Sequence, residues 1–177
     1  VNPNIETEAN YYNFVDAGTG VSQSYDSTVS YLGERSIKVN HNGTGVTNSG
    51  KAQQVFFSEA VNTPFTFSAY VKTDNVTPIG DNTNFTKGAS LHINFYNSSG
   101  VKISGTPCNT YITGTSDWSR ISVTATAPAG TREIRVYCAL RDSTGIAWFD
   151  CLQLENSGTM NDLNTVSYTH LTLPTKR

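Results

Sequence analysis

The sequence predicts an all-β protein, a two-sheet antiparallel sandwich of the jelly-roll type. The 177-residue chain has 14 Gly, 9 Tyr and 8 Phe but only 15% charged residues, and such a composition favours short strands joined by polar turns. About eight segments alternate apolar and polar residues with the two-residue period of a strand. No segment keeps a helical period for three turns. Strands with one apolar face suit two sheets that share a core.

Alternation and turn residues mark each predicted strand. The first strand contains Glu6, and the others are residues 35–41, 52–57, 64–73, 89–97, 118–128, 132–141 and 146–155. Gly, Asn, Asp and Pro separate these strands, as in known sandwiches. The long polar segment 73–88 is predicted to be a loop. The residues expected to face the core are Phe65, Phe67, Ala69, Val71, Leu91, Ile93, Phe95, Ile121, Val123, Ala125, Ile134, Val136, Cys138 and Leu140.

Composition and motifs argue against several functions. The net charge is −2 and no cluster of Lys or Arg occurs, so nothing suits the phosphate backbone of a nucleic acid. No apolar run is long enough to insert into a membrane. His41 and His92 are the only histidines before residue 166, and no nucleophile elbow or phosphate-binding glycine motif appears. We therefore expect no catalytic activity in this domain, although a catalytic domain in the flanking sequence stays open.

The end of the chain differs in kind from the rest. Residues 166–177, VSYTHLTLPTKR, resemble the translation of a widely used sequencing adapter, and we expect them not to be native. Before them the composition is uniform up to residue 156, without a convincing repeat. The sequence thus predicts one domain at residues 1–156 and a linker at 157–165, in what is expected to be a gene fragment.

Cysteine usage leaves two interpretations. Cys108, Cys138 and Cys151 are an odd set without the spacing of a zinc or redox motif. Cys138 and Cys151 flank a turn symmetrically, so they would face each other if their strands formed a hairpin. The preferred interpretation is that both are small buried apolar residues.

Asp150 stands in the middle of an apolar segment, GIAWFDCLQLEN, at residues 145–156. The segment is predicted to be a buried strand, and a carboxylate removed from water needs compensation. Either a network of hydrogen-bond donors or a metal ion would supply it. Asp150 is therefore the first candidate functional residue.

The two ends of the domain resemble one protein family. Residues 2–6, NPNIE, and residues 148–154, WFDCLQL, are similar to the opening and closing motifs of the jelly-roll carbohydrate-binding modules appended to bacterial cellulases and xylanases. The strands between them follow in the same order, so the resemblance covers nearly all of residues 2–155. Ile5 and Cys151 depart from the pattern, which has Phe and a second Asp there.

This resemblance implies a structural calcium ion. In such modules the opening Glu and the closing Asp commonly help to hold Ca²⁺ between the first and last strands, which makes Glu6 and Asp150 the metal candidates. Oxygen ligands suit this cation. The alternative is that both are solvated or hydrogen-bonded carboxylates of edge strands.

The resemblance also directs attention to the outward faces of the strands. Sugars are held by aromatic rings that stack on C–H faces and by planar polar groups that bind hydroxyls. If the strands are neighbours in one sheet, their outward residues make such a face; otherwise they are ordinary strand formers. The predicted ligand-binding residues are Tyr70, His92, Asn94, Tyr96, Arg135, Tyr137 and Arg141.

The expected function is that of a non-catalytic module that binds a polysaccharide or surface glycan. The resemblance places such a module in a larger secreted or cell-surface protein of a bacterium, or in a phage tail, beside other domains of the same chain. The alternative is a structural or adhesion repeat whose aromatic face contacts a neighbouring domain and has no affinity for sugar.

Overall fold

The computed structural model describes residues 12–15, 18–43, 51–57, 61–80, 87–107 and 109–163. All regular secondary structure in these ranges is β-strand, and the described residues contain no helix long and apolar enough to cross a membrane. The strands are β1 (Asn13–Val15), β2 (Val21–Asp26), β3 (Ser36–His41), β4 (Lys51–Phe57), β5 (Thr63–Pro78), β6 (Gly88–Tyr96), β7 (Lys102–Pro107), β8 (Gly114–Ala127), β9 (Glu133–Arg141) and β10 (Ser143–Glu155).

The strands form two five-stranded antiparallel sheets. Sheet A has the order β1-β4-β9-β6-β7, and sheet B has the order β2-β3-β10-β5-β8. Consecutive strands such as β5 and β6, or β9 and β10, lie in different sheets, so the chain passes repeatedly from one sheet to the other. The all-β sandwich predicted from the sequence is confirmed.

The core lies between the inward faces of the two sheets. All fourteen residues expected to face the core are buried, and Phe67 and Phe95 are completely inaccessible. The ring centroids of Phe65 in sheet B and Phe95 in sheet A lie 6.5 Å apart, so aromatic side chains of the two sheets pack against each other in the core. Burial of each such ring contributes about 2–3 kcal/mol.

Three strands and one extension were not predicted. Strands β2 and β7 lie at sheet edges, where one partner suffices and polar residues are tolerated, and β1 has only three residues. Residues 73–78, expected to be loop, continue β5 because Pro78 pairs with Ser143 of β10 and Val76 pairs with Gly114 of β8. The first strand expected around Glu6 lies outside the described residues.

Cys138 and Cys151 do not face each other in a hairpin. Cys138 belongs to β9 of sheet A and Cys151 to β10 of sheet B, and both are buried thiols. Burial raises the pKa of Cys138 well above its usual value. The interpretation as buried apolar residues is confirmed, and their two strands do not form a hairpin.

Trp148 lies on the outward face of sheet B, where Asp26 holds it. The indole Nε1 donates to Asp26 Oδ2 at 2.9 Å, and Lys38 Nζ lies 3.2 Å from the same oxygen. The Thr28 amide and hydroxyl donate to Oδ1 at 2.8 and 2.6 Å. Burial alone would raise the pKa of Asp26, but the hydrogen bonds from Thr28, Trp148 and Lys38 lower it well below its usual value. The charged form therefore stabilises the fold.

We predict that Asp26 makes the protein sensitive to acid. Because the pKa is lower in the folded state, the stabilisation is present above the unfolded-state pKa near 4 and is lost as pH falls below it. Asp26→Asn should lower the unfolding free energy by about 2 kcal/mol at pH 7, with a smaller loss at pH 2. Urea denaturation at both pH values measures this.

The control is Asp117→Asn, because the Asp117 carboxylate is 85% exposed and pairs with Lys72 at 2.7 Å. Exposed ion pairs contribute little to stability, so this variant should denature nearly as the unaltered protein does. An Asp26→Asn variant with the same loss at pH 2 as at pH 7 would contradict the prediction.

Candidate functional site

The pairing of β6 with β9 assembles most of the predicted ligand-binding residues. These strands are central neighbours in sheet A, and His92 lies opposite Tyr137 while Asn94 lies opposite Arg135. Directly opposed residues project from the same face of a sheet. The structure therefore brings six of the seven predicted residues onto the outward face of sheet A: His92, Asn94, Tyr96, Arg135, Tyr137 and Arg141.

A continuous set of contacts links four of these residues. The hydroxyl groups of Tyr96 and Tyr137 lie 3.1 Å apart, and a side-chain hydrogen bond from Asn94 is among the influences on the pKa of Tyr137, which it lowers. The Arg135 guanidinium lies 3.8 Å from the centre of the Tyr96 ring, close enough for a cation–π interaction. We call Asn94, Tyr96, Arg135 and Tyr137, together with Glu133, the sheet A network.

Glu133 was not predicted from the sequence, and it fixes the orientation of Arg135. The Nε and one terminal nitrogen of Arg135 both donate to Glu133 Oε2, at 3.0 and 2.7 Å. Burial lowers the pKa of Arg135, but the bonds to Glu133 outweigh it, and the net shift is upward. The alternation of residues 133, 135 and 137 along β9 is the sequence signal that could have revealed this pair.

The network favours the neutral form of Tyr137. Burial, with a further contribution from the hydrogen bond to Tyr96, raises the pKa of Tyr137 above its usual value. Tyr137 is only 7% exposed although it lies on an outward face. At neutral pH the site therefore offers hydroxyl and amide groups that can both donate and accept hydrogen bonds.

His92 and Arg141 lie next to this network along the same strands. His92 Nε2 is 3.1 Å from the hydroxyl of Ser90, and both residues are buried. Arg141 ends β9 opposite Gly88, and its Nε lies 3.7 Å from the carboxylate of Asp142. Both histidine and arginine are thus oriented by neighbours.

Tyr70 does not join this group, because β5 lies in sheet B. Its ring stacks on Tyr31 with 3.8 Å between centroids and 12° between planes, and the Arg120 guanidinium lies 6.0 Å from it. The condition that all seven residues lie in one sheet is therefore not met for Tyr70. Alternation places it correctly on an outward face but says nothing about which sheet the strand joins.

Asp150 is compensated by backbone amides. It is completely buried, and its Oδ2 accepts hydrogen bonds from the Tyr31 and Leu32 amides at 2.7 and 3.1 Å. Its Oδ1 accepts from the Cys151 amide at 2.6 Å. Charge-assisted bonds of this kind offset the cost of burial. Of the two compensations considered from the sequence, the donor network is present, and it anchors the segment before β3 to β10.

The calcium ion stays a prediction. Glu6 lies outside the described residues, and within them no group of three or more His, Cys, Asp or Glu side chains is placed to hold a metal ion. Because three amides already bind Asp150, its burial does not require a cation.

Sequence comparison does not assign the chain. No family model matches it, and no curated protein matches it. Several solved structures, however, are similar to it in fold. The CBM22-1–GH10 modules of Clostridium thermocellum xylanase 10B, solved with xylohexaose, give a TM-score of 0.63 at 17% identity over 89% of this chain and 28% of that one. A xylan-binding domain from CBM 22 gives 0.58 at 15% identity over 89% and 94%.

The chain has the fold of a carbohydrate-binding module. A third similar structure is the enzymatically active domain of tailspike protein 4 of bacteriophage CBA120, with a TM-score of 0.57 at 12% identity over 82% of this chain and 19% of that one. The chain thus spans less than a third of the tailspike domain and of the two-module xylanase fragment. The fold expected from the resemblance is confirmed.

We predict that Asp150 stabilises the segment before β3. Asp150→Ala removes the completely buried carboxylate that accepts hydrogen bonds from the Tyr31 and Leu32 amides, which should cost about 3 kcal/mol of unfolding free energy. Amide hydrogen exchange at Tyr31 and Leu32 should accelerate in the same variant. Chemical denaturation and exchange monitored by NMR measure the two effects.

Asp74→Ala is the control, because the Asp74 carboxylate accepts only exposed hydrogen bonds from Asn75 and Thr115. It should leave exchange at residues 31 and 32 unchanged. Unaltered exchange there in Asp150→Ala would show that the carboxylate does not hold the segment.

Proposed function

We propose that the outward face of sheet A binds a polysaccharide chain. The sheet A network carries the proposal, because it sets amide, guanidinium and phenol groups side by side on two paired strands. Planar polar groups next to aromatic rings are the chemistry that recognises sugar hydroxyls and C–H faces. The network is preorganised by its own hydrogen bonds, which lowers the entropy lost on binding.

The similar structures support the ligand class. One of them was solved with xylohexaose and another is described as a xylan-binding domain. Xylan is therefore the first polysaccharide to test on this chain. By the same analogy we propose that the chain is a module of a larger secreted or cell-surface protein and lies beside other domains of it.

We propose further that the module is non-catalytic. Hydrolysis of a glycosidic bond requires two carboxyl groups about 5–10 Å apart across the sugar. Glu133 begins β9 and Asp142 directly follows its end, so the length of the strand separates these two acidic residues by about 30 Å. Glu133 is also engaged by Arg135. These features suit binding and not bond cleavage.

A structural repeat without sugar affinity is the second candidate. The contacts that the sheet A polar groups make with one another favour it, since groups that are already paired have less need of a ligand. The two candidates differ in one measurable property, the affinity of the sheet A face for polysaccharide.

Tyr96→Ala and Tyr137→Ala should each weaken binding to soluble xylan about tenfold, because each removes a ring and a hydroxyl from the network. Affinity electrophoresis and isothermal titration calorimetry measure this. Tyr25→Ala is the matched control, since Tyr25 is 37% exposed but lies on β2 of sheet B. A panel of polysaccharides that all fail to retain the unaltered protein would favour the structural repeat.

We also propose that Glu6 and Asp150 hold a structural calcium ion, on the strength of the family resemblance alone. The ion would tie the start of the chain to β10 and would stabilise the folded state by mass action. Chelation with EDTA should lower the melting temperature of the unaltered protein by several degrees, and added Ca²⁺ should restore it.

Glu6→Gln is the sharper variant for this test, since Asp150 has a structural role without metal. In Glu6→Gln the chelator should have little effect on the melting temperature. A melting temperature of the unaltered protein that is the same with EDTA and with Ca²⁺ would remove the calcium ion from the proposal.

A further inference from the structure

Gly105 on the edge strand β7 lies opposite Asn94 of β6. A Cβ atom added to Gly105 would overlap the Asn94 side-chain oxygen, and it would lie 3.0 Å from Asn94 Cγ and 2.7 Å from Lys102 Cε. We call the space over the Gly105 Cα, bounded by Asn94 and Lys102, the Gly105 notch. Asn94 fills it with its amide oxygen.

The backbone does not require a glycine at this position. Gly105 is absent from the residues with positive φ among those described, so an alanine would fit the local conformation. Glycine inside a strand weakens it, since no side chain packs there. The reason for Gly105 is therefore the room that it leaves for Asn94.

The notch fixes which way the Asn94 amide points. The Asn94 oxygen lies over Gly105, and a side-chain hydrogen bond from Asn94 lowers the pKa of the Tyr137 phenol, so we infer that the amide nitrogen is directed toward β9. A donor lowers the pKa of the group that accepts from it. Tyr137 in turn contacts the Tyr96 hydroxyl at 3.1 Å. The sheet A network thus extends from the edge of the sheet to its centre.

We propose that Gly105 is a positioning residue for glycan binding and acts through Asn94. The inference rests on the proposed function of the sheet A face and names a residue that sets its geometry without contacting the ligand. A side chain at residue 105 would expel Asn94 from the notch. Because β6 lies between β7 and β9 in sheet A, we expect the amide to move outward, into the volume that a polysaccharide on this face has to enter.

Lys102 is not the target of this effect. Its Cε is the far part of a long flexible side chain on an exposed residue, and it can move from an added methyl group at little cost. The Asn94 side chain is shorter, with two rotatable bonds, and its oxygen is the atom nearest to the added Cβ. Displacement of Asn94 is therefore the main consequence of filling the notch.

The experiment compares Gly105→Ala with Gly158→Ala. At Gly158 an added Cβ meets only ordinary contacts with Pro64, at 3.8 and 3.9 Å. Gly105→Ala should weaken xylan binding about tenfold in calorimetry, and Gly158→Ala should leave it unchanged. In an Asn94→Ala background, Gly105→Ala should cause no further loss, because the group that it displaces is absent.

A second readout does not depend on xylan. The side-chain amide resonances of Asn94 in a ¹H–¹⁵N spectrum should shift in Gly105→Ala and stay in place in Gly158→Ala. Losses of affinity that add in the double variant, or Asn94 resonances that do not move, would overturn the role of Gly105. If the unaltered protein binds no polysaccharide while the resonances do shift, the proposed function fails, and with it the role of Gly105 in binding.

Discussion

The antiparallel register between β6 and β9 is the constraint on which the rest of the site depends. Successive side chains of a strand point to opposite faces, so one register decides both the core and the surface. Ile93, Phe95 and Val136 are buried between the sheets, and this requires Asn94 and Arg135 to face outward as neighbours. A slip by one residue would bury the polar groups and expose the core. Packing of the apolar face therefore holds the polar face in place.

The two outward faces of the sandwich differ in what covers them. On sheet B the chain covers itself: Asp150 accepts the amides of Tyr31 and Leu32, and Thr66 donates to the carbonyl of Ser157. Residues 157–163, predicted to begin a linker, include Asn161, whose carbonyl accepts a hydrogen bond from Arg120. On sheet A the polar side chains instead bond mainly to one another. The polar groups of sheet A are therefore ordered by side-chain contacts within the sheet and not by a covering segment of the described chain.

Sequence patterns predict some of this well, for identifiable reasons. Burial of one strand face imposes a two-residue period, so the inward residues from Phe65 to Leu140 can be read directly. The same period places Tyr70 and Tyr137 alike on outward faces, because it contains no information on strand order. Asp150 is recognisable in the sequence as a charge in need of compensation, yet two of its three donors are backbone amides 118 and 119 residues away. Because every residue except proline has a backbone amide, the sequence does not show which amides will act as donors.

The role of Gly105 is likewise not predictable from the sequence. The sequence contains 14 glycines, and nothing distinguishes Gly105 from the others. It lies close to Pro107, and a segment with both residue types is typical of a turn. Its significance appears only when β7 is paired with β6 and Asn94 is seen over its Cα. The site thus combines two kinds of residue. Tyr96, Arg135 and Tyr137 can be nominated by chemistry and alternation, whereas Glu133 and Gly105 act on those residues and are identified only by geometry.

The geometry also bears on how a sugar would be recognised. The Arg135 guanidinium covers one side of the Tyr96 ring, so that side cannot stack on a pyranose. Glu133 neutralises Arg135, and Asp142 lies next to Arg141, so these guanidiniums do not act as isolated positive charges. What the network presents most clearly is a row of neutral donors and acceptors in fixed positions. If a polysaccharide binds there, hydroxyl geometry should contribute more to its selection than charge or broad aromatic stacking, because an unmatched buried hydroxyl costs more than a lost contact.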